Sequence, residues 1–232
     1  MNKIDHKISQ TNEIKQLDET VINKIAAGEV VERPASAVKE LIENSIDAGS
    51  TDIFIEVADG GKTLIRVTDD GHGMSEIDLP MALRRHATSK LKNNNLLDIN
   101  SFGFRGEALP SLGAVGRLRI VSHKEGHGAY EITVNGGDFS NTKPAARVPG
   151  TTIELRDLFY ATPARLKFLR SNKSELKAIT DAVKGLSIST PSVGFTLIDK
   201  TAGKSRMLLQ VQKESDDSIK AKKNRLSGIL GK

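Results

Sequence analysis

Four polar residues of the segment RPASAVKELIENSIDAG would share one side of a helix. At about 100° per residue, Val38, Leu41, Ile42 and Ile46 form an apolar face, and Glu40, Glu43, Asn44 and Asp47 form the opposite one. Glu40 and Asn44 lie one turn apart, roughly 5–6 Å between Cβ atoms, so both can address a single ligand. A carboxylate there can take a proton from water. A neutral amide oxygen can bind a divalent cation without adding negative charge beside phosphates, a pairing suited to Mg²⁺ and a triphosphate. The same residues also fit a plain solvated face, and this helix alone does not separate the two.

A second constellation, Val67-Thr68-Asp69-Asp70-Gly71-His72-Gly73-Met74, ends a strand-like run in a Gly-x-Gly turn. An ionised carboxylate only accepts hydrogen bonds, so a buried Asp69 can receive an amino group of a base. The glycines let that base approach the backbone. Asp-Gly turns are common, so the motif is weak by itself. A third, Ser101-Phe102-Gly103-Phe104-Arg105-Gly106-Glu107-Ala108-Leu109, sets two glycines and an arginine just before a helix start, where free N–H groups attract anions. Upstream, Arg85-His86-Ala87-Thr88-Ser89-Lys90 adds hydroxyls and a cation to the same loop. Gly61-Lys62-Thr63 and Gly203-Lys204-Ser205 end like P-loops, but Glu56 and Ile198 stand where the required first glycine belongs, so both read as hairpin turns. His123 and His127, flanked by Gly126 and Gly128, read as a turn rather than a metal pair.

These residues need elements to position them. Asp18 caps a short helix over 19–27, and a longer one runs from Pro34 to Gly49, where an αL cap sits. TDIFIEV and KTLIRVT alternate on either side of Asp59-Gly60-Gly61 and predict a hairpin with Ile53, Ile55 and Val57 on one face. Ser75 and Asp78 form a capping box that opens a helix through about Ala87, and 88–106 reads as a long loop of functional type. A short helix follows from Glu107. Strands are predicted at RLRIVS, AYEITV and TTIEL, a helix over 172–186, and a hairpin GFTLID–TAGK–SRMLLQV. Hairpins interleaved with amphipathic helices suggest a largely antiparallel or mixed sheet covered by helices.

The composition is that of a globular domain: 232 residues, 38% hydrophobic and 27% charged, which excludes a disordered tail. No cysteine is present, which excludes disulfides, thiolate metal sites and a thiol nucleophile. No signal-peptide or membrane-span pattern is present, so an intracellular, cytoplasmic protein with no membrane partner is expected. The net charge of +5 is uneven, −8 over residues 1–80 and +13 over 81–232. That split suggests two kinds of partner, although chance clustering on solvated faces also accounts for it.

Taken together, AAGEVVERPASAVKELIENSIDAG, RHATSK, GFRGEAL and DLFYATPARLKFL resemble the signature stretches of the MutL mismatch-repair family. That family belongs to an ATPase superfamily with the ATP-binding chain of DNA gyrase, the Hsp90 chaperones and sensor histidine kinases. The resemblance runs from about Leu17 to the end of the chain. It implies an α/β (α+β) sandwich with a mixed, mostly antiparallel sheet and helices on one face.

It further implies ATP and Mg²⁺ as cofactors, Glu40 as the general base and Asn44 as the Mg²⁺ ligand. Asp69 would bind the adenine amino group, Gly71, Gly73 and Met74 would shape its pocket, and Thr152 would support Asp69 from a neighbouring strand. Thr88, Ser89 and Lys90 would open a mobile lid. Gly103, Phe104, Arg105, Gly106, Glu107 and Leu109 would wrap the phosphates. Asp70 stands where the family has Asn, which bears on the pocket rim. Implied partners are ATP and ADP, double- and single-stranded DNA through phosphate contacts, a MutS-type mismatch-recognition protein, a repair endonuclease and a helicase, with homodimerisation on ATP binding.

The expected layout is a mobile leader at 1–16, the ATPase domain at 17–211, and a linker with the start of a second domain at 212–232. In the family that second domain supplies a lysine to the γ-phosphate, so weak turnover is expected here. A non-enzymatic DNA-binding or scaffold module is the alternative, and thin aromatic content would make its DNA contacts phosphate-directed. A sensor kinase is disfavoured because the long matches belong to the repair family.

Overall fold

The computed structural model describes residues 14–90, 101–103 and 105–231. Among these, nine strands form one sheet in the order β5-β4-β3-β7-β2-β1-β8-β9, with β6 also paired to β4. The central strands are β1 (Asp52–Ala58), β2 (Leu64–Asp69), β3 (Arg117–His123) and β7 (Gly150–Arg156). β4 (Ala129–Asn135), β5 (Asp138–Phe139) and β6 (Lys143–Pro144) finish one side, and β8 (Gly194–Asp199) with β9 (Arg206–Val211) finish the other. Every described pairing is antiparallel except β1 with β8. The mixed, mostly antiparallel sheet expected from the sequence is therefore observed.

Strand alternation decides which residues meet the helices. Ile53, Ile55 and Val57 of β1, Ile65 and Val67 of β2, Leu118 and Ile120 of β3, and Ile153 and Leu155 of β7 are buried on one face. That face is covered by α2 (Pro34–Asp47), α4 (Ala108–Val115) and α6 (Asn172–Ser189), with α1 (Glu19–Val30) packed on α4. The other face carries a ladder of charges. Arg66 bridges Glu56 and Glu154, and Arg119 pairs with Glu131 on the next strand. Asp69 follows Ile65 and Val67 in the alternation, so the strand delivers its carboxylate to the helix-covered side.

α2 follows its sequence period. Pro34 stands in its first turn, Ala37, Val38, Leu41 and Ile42 are fully buried, and Gly49 just beyond its end has φ 74°. The Asp59–Gly61 turn and the β8–β9 turn close hairpins, as expected for both P-loop look-alikes. α3 (Asp78–Ala82) is shorter than expected. The capping box forms, with Ser75 N–H and hydroxyl on the Asp78 carboxylate at 3.1 and 2.7 Å. The helix ends at Ala82, and beyond it His86 N–H bonds to Gly106 O (3.2 Å) with His86 at φ 61°, which holds 86–87 out of any helical continuation. A tertiary contact overrides local helix preference there.

The stretch expected as linker is fastened to this body. α5 (Pro163–Leu166) and α6 precede β8, and α7 (Ile219–Leu230) follows β9. α7 buries Arg225, which donates to the carbonyl oxygens of Ser187 (2.9 Å), Pro191 (2.6 Å), Val193 (3.0 Å) and Gln212 (2.7 Å). Among the described residues, no helix is long and apolar enough to cross a membrane.

Candidate active site

A cleft of about 1040 Å³ opens where the polar side of α2 faces the loops that flank residues 91–100. Its walls are the end of β2, α3, residues 86–90, residues 102, 103 and 105–107, and the first turn of α4. Of the residues singled out in the sequence, Glu40, Asn44, Asp69, Gly73, Met74, Thr88, Ser89, Lys90, Gly103, Arg105, Gly106, Glu107 and Leu109 line it. Phe104 lies outside the described residues.

Asp69 forms the deep end and is only 6% exposed. Its Oδ2 accepts from the Ser45 hydroxyl (2.9 Å), and its Oδ1 accepts from Gly71 N (3.0 Å) and Thr151 N (3.1 Å). A carboxylate has about four acceptor sites, so one remains for a donor in the cleft. Behind it, Ser122 Oγ joins Thr151 Oγ1 (2.8 Å) and accepts from Met74 N (2.8 Å). Arg147 bonds Asp69 O and the Thr152 hydroxyl. Burial lowers the pKa of Arg147, and the Asp69 charge partly opposes that shift.

Two expectations at this end, for Thr152 and Asp70, are corrected. Thr152 is not brought to the cleft: β7 pairs Thr151 with Asp69 and Thr152 with Thr68, and the Thr68 and Thr152 hydroxyls meet at 3.2 Å on the opposite face. Thr151 takes the supporting place. Gly71 acts on the pocket from behind its lining, through its N–H bond to Asp69 Oδ1. Asp70 leaves the rim altogether, accepting from Thr51 N (2.7 Å), the Thr51 hydroxyl (2.7 Å) and Asp52 N (2.9 Å). Partial burial would raise the Asp70 pKa, but those hydrogen bonds outweigh it and hold the carboxyl below the usual carboxylate range. The residue thus ties the start of β1 to the end of β2.

At the other end, Glu40, Asn44 and Asp47 line the cleft from successive turns of α2. Glu43, which the helical arc grouped with them, does not. It is buried beside Lys39 (3.6 Å), and burial raises its pKa despite that cation, with Glu40 and Asp47 adding to the rise. Lys90 reaches across the cleft to donate to Asn44 Oδ1 (2.8 Å) and Asp47 Oδ2 (2.6 Å). Asp47 also accepts from Phe102 N (3.0 Å) and Gly103 N (3.2 Å). Asn44 Oδ1 thus already receives a cation, as a metal ligand of hard oxygen type would.

The anion-directed end is built from backbone. α4 starts at Ala108, so the cleft-lining residues 106–109 surround its N-terminus, where unpaired N–H groups and the dipole favour negative charge. Two glycines are sterically required. A Cβ on Gly106 (φ 63°) would lie 2.4 Å from Ala87 O, and one on Gly73 (φ 65°) 2.1 Å from His123 O. Both positions let separate loops touch at the cleft.

Sequence reasoning passed over Ser45, Thr151 and Ser122, and it placed Asp47 on the polar face without a role. The parity of β7 was a readable signal for Thr151, since it shares a face with the apolar Ile153 and Leu155. The contact of Lys90 with α2 leaves no local signal.

Residues 31–160, more than half of the chain, match the model of the family described as histidine kinase-, DNA gyrase B-, and HSP90-like ATPase. The chain is 53% identical over 220 residues to the DNA mismatch repair protein MutL of Rhizobium leguminosarum bv. trifolii (strain WSM2304), covering 94% of this chain and 35% of that protein. The MutL of Rhizobium meliloti (strain 1021) gives the same figures. The chain therefore spans about a third of the length of the curated relatives it matches.

Among solved structures, the Aquifex aeolicus MutL ATPase domain complexed with ADP superposes with a TM-score of 0.70 at 29% identity, over 87% of this chain and 70% of that one. The N-terminal domain of a DNA repair protein gives 0.75 at 25% identity, over 90% and 60%. With the cleft assembled from the segments that carry the resemblance, and with the family model spanning α2, β2 and α4, the chain belongs to the histidine kinase-, DNA gyrase B-, and HSP90-like ATPase family.

Proposed function

We propose that the cleft binds ATP with Mg²⁺ and hydrolyses it, and that the chain is the nucleotide-driven part of a MutL-type mismatch-repair protein. The observation that carries this reading is the polarity of one continuous cleft. A buried carboxylate with a spare acceptor site stands at one end, and a helix N-terminus with an amide-held cation stands at the other.

Asp69 accepts the adenine amino group, held in place by Ser45, Gly71 and Thr151. Met74 and Ile153 supply apolar walls beside it. The N–H groups at the start of α4, with Gly103, Arg105 and Gly106, receive the phosphates. Thr88, Ser89 and Lys90 close on them from the other side. Asn44 Oδ1 is the protein ligand offered to Mg²⁺, and a neutral oxygen that already takes an ammonium at 2.8 Å fits that role. When bound, the ion neutralises charge on the β- and γ-phosphates. Glu40, one turn before Asn44, takes the proton of the attacking water, a contribution of about 10²–10⁴ in rate for a placed general base.

The relatives' name, DNA mismatch repair protein MutL, supports a repair role for the whole protein. Clamp closure by ATP-driven dimerisation, phosphate-directed DNA contact, and hand-over between a mismatch-recognition protein and a repair endonuclease or helicase belong to the proposal as what the resemblance to the family implies. Calorimetric titration tests the nucleotide reading. ATP and ADP bind in Mg²⁺, more weakly with chelator, and GTP does not compete, because a guanine presents a carbonyl oxygen to Asp69. GTP binding as tightly as ATP, or no ATP binding at all, contradicts it.

A further inference from the structure

The bond from Lys90 to Asn44 places a positive charge where a divalent cation would be coordinated. Lys90 Nζ lies 2.8 Å from Asn44 Oδ1 and 2.6 Å from Asp47 Oδ2, with its side chain 23% exposed and that of Asp47 6% exposed. The 101–103 segment packs beside this arrangement: a Cβ built on Gly103 would stand in ordinary van der Waals contact with Lys90 Nζ (3.5 Å) and Asn44 Oδ1 (3.9 Å). The ammonium is thus seated between α2 and the 101–103 segment rather than lying loosely on the surface.

An ammonium and a divalent cation cannot share the same direction of one amide oxygen. We infer that Lys90 is a built-in competitor for the metal position: its ammonium holds Asn44 Oδ1 in the nucleotide-free protein and must leave before a divalent cation binds there. This rests on the reading of Asn44 as metal ligand. The exchange is favourable in charge, because a departing +1 is replaced by +2 beside Asp47. Asp47 is not orphaned when Lys90 leaves, since Phe102 N (3.0 Å) and Gly103 N (3.2 Å) still bond its carboxylate. The freed ammonium, on the loop that starts with Thr88, is then available to phosphate oxygens. Metal loading and delivery of Lys90 to the phosphates become one event, and the empty protein has little affinity for metal alone. Lys90 therefore selects for the metal–nucleotide complex over either component.

The test is Mn²⁺ binding to the full chain without nucleotide, read by electron paramagnetic resonance. Lys90→Met removes the charge and keeps much of the side-chain length. It should bind Mn²⁺ at least about tenfold more tightly than the parent, since a competitor worth about 1.4 kcal/mol or more is gone. Adding Asn44→Ala should abolish the gain. Equal affinity in the parent and Lys90→Met, or a gain that survives Asn44→Ala, overturns the inference.

A second measurement needs no substitution. After reductive ¹³C-methylation of lysines, the Lys90 resonance should move toward that of exposed lysines on saturation with Mg²⁺ alone. A Lys90 resonance unmoved at a Mg²⁺ concentration that fills the site also overturns it. The underlying reading is judged separately with ADP present. If ADP affinity remains as dependent on Mg²⁺ in Asn44→Ala as in the parent, the assignment of Asn44 fails. If that dependence is lost but Lys90→Met shows no gain, only the competition fails.

Discussion

Replacing Asp69 by Asn separates recognition from stability, because the site constrains which way the new amide can turn. Oδ1 of Asp69 accepts from two backbone N–H groups, Gly71 and Thr151, and a side-chain NH₂ cannot face them. The Asn oxygen must take that place, which directs its NH₂ toward Ser45. The Ser45 hydroxyl tolerates the change, since it can accept from the amide while donating to Leu41 O, which it already contacts at 3.2 Å. The fold thus keeps its hydrogen bonds and loses only the charge assistance on them, about 1 kcal/mol in total.

A ligand amino group, by contrast, meets a donor instead of an acceptor. The lost charge-assisted bond is worth about 1.5–3 kcal/mol, and the opposed donors add the cost of an unsatisfied group, about 1–3 kcal/mol. Together these predict ADP affinity lowered by roughly 100-fold or more, with a thermal midpoint a few degrees below the parent. Asp69→Ala would confound the two effects, as it strands both buried N–H groups. Calorimetry with ADP and Mg²⁺, paired with thermal unfolding, is the assay. An Asn variant that binds ADP within threefold of the parent would refute the role of Asp69 as acceptor for the base.

Two further predictions follow from the structure. Thr151→Val removes the hydroxyl that joins Ser122 behind Asp69 (2.8 Å) and should weaken ADP binding by about tenfold, whereas Thr152→Val, on the far face, should change it by less than about twofold; the reverse order in titrations would contradict the β7 register. Glu43→Gln tests the raised pKa of a buried carboxyl. A folded-state pKa above the ordinary carboxylate value means the folded protein holds that proton more tightly, so stability is present below the unfolded pKa and is lost as pH rises through the folded one. The Gln variant should therefore melt higher than the parent at about pH 7 and lose that advantage near pH 4; equal melting at neutral pH would show that ionised Glu43 carries no penalty.

Local patterns carried much of this site. The 3.6-residue period of α2 was enough to set Glu40 and Asn44 side by side, because Val38, Leu41 and Ile42 must face the sheet. The alternation of β2 was enough to bury Asp69, since Ile65 and Val67 share its parity. Thr151 was equally legible by parity, and the resemblance to family motifs directed attention to its neighbour instead. The length of α3 was not legible, because the stretch expected to continue it is instead held by a bond between His86 and Gly106, twenty residues apart in the chain. The docking of α7 was hidden for the same reason: Arg225 looks like one of many surface cations until the carbonyls at the end of α6 and around β8 converge on it. Periodic burial is written locally, whereas contacts closed by loops depend on the whole fold.

The central claim is that one cleft binds the nucleotide and that Glu40 activates water there. The direct measurement is single-turnover release of phosphate from ATP bound in Mg²⁺, comparing the parent chain with Glu40→Gln at saturating protein. The account predicts release slowed by at least about 100-fold, with nucleotide affinity kept within threefold. Release at the parent rate by a Gln variant that still binds ATP would contradict it.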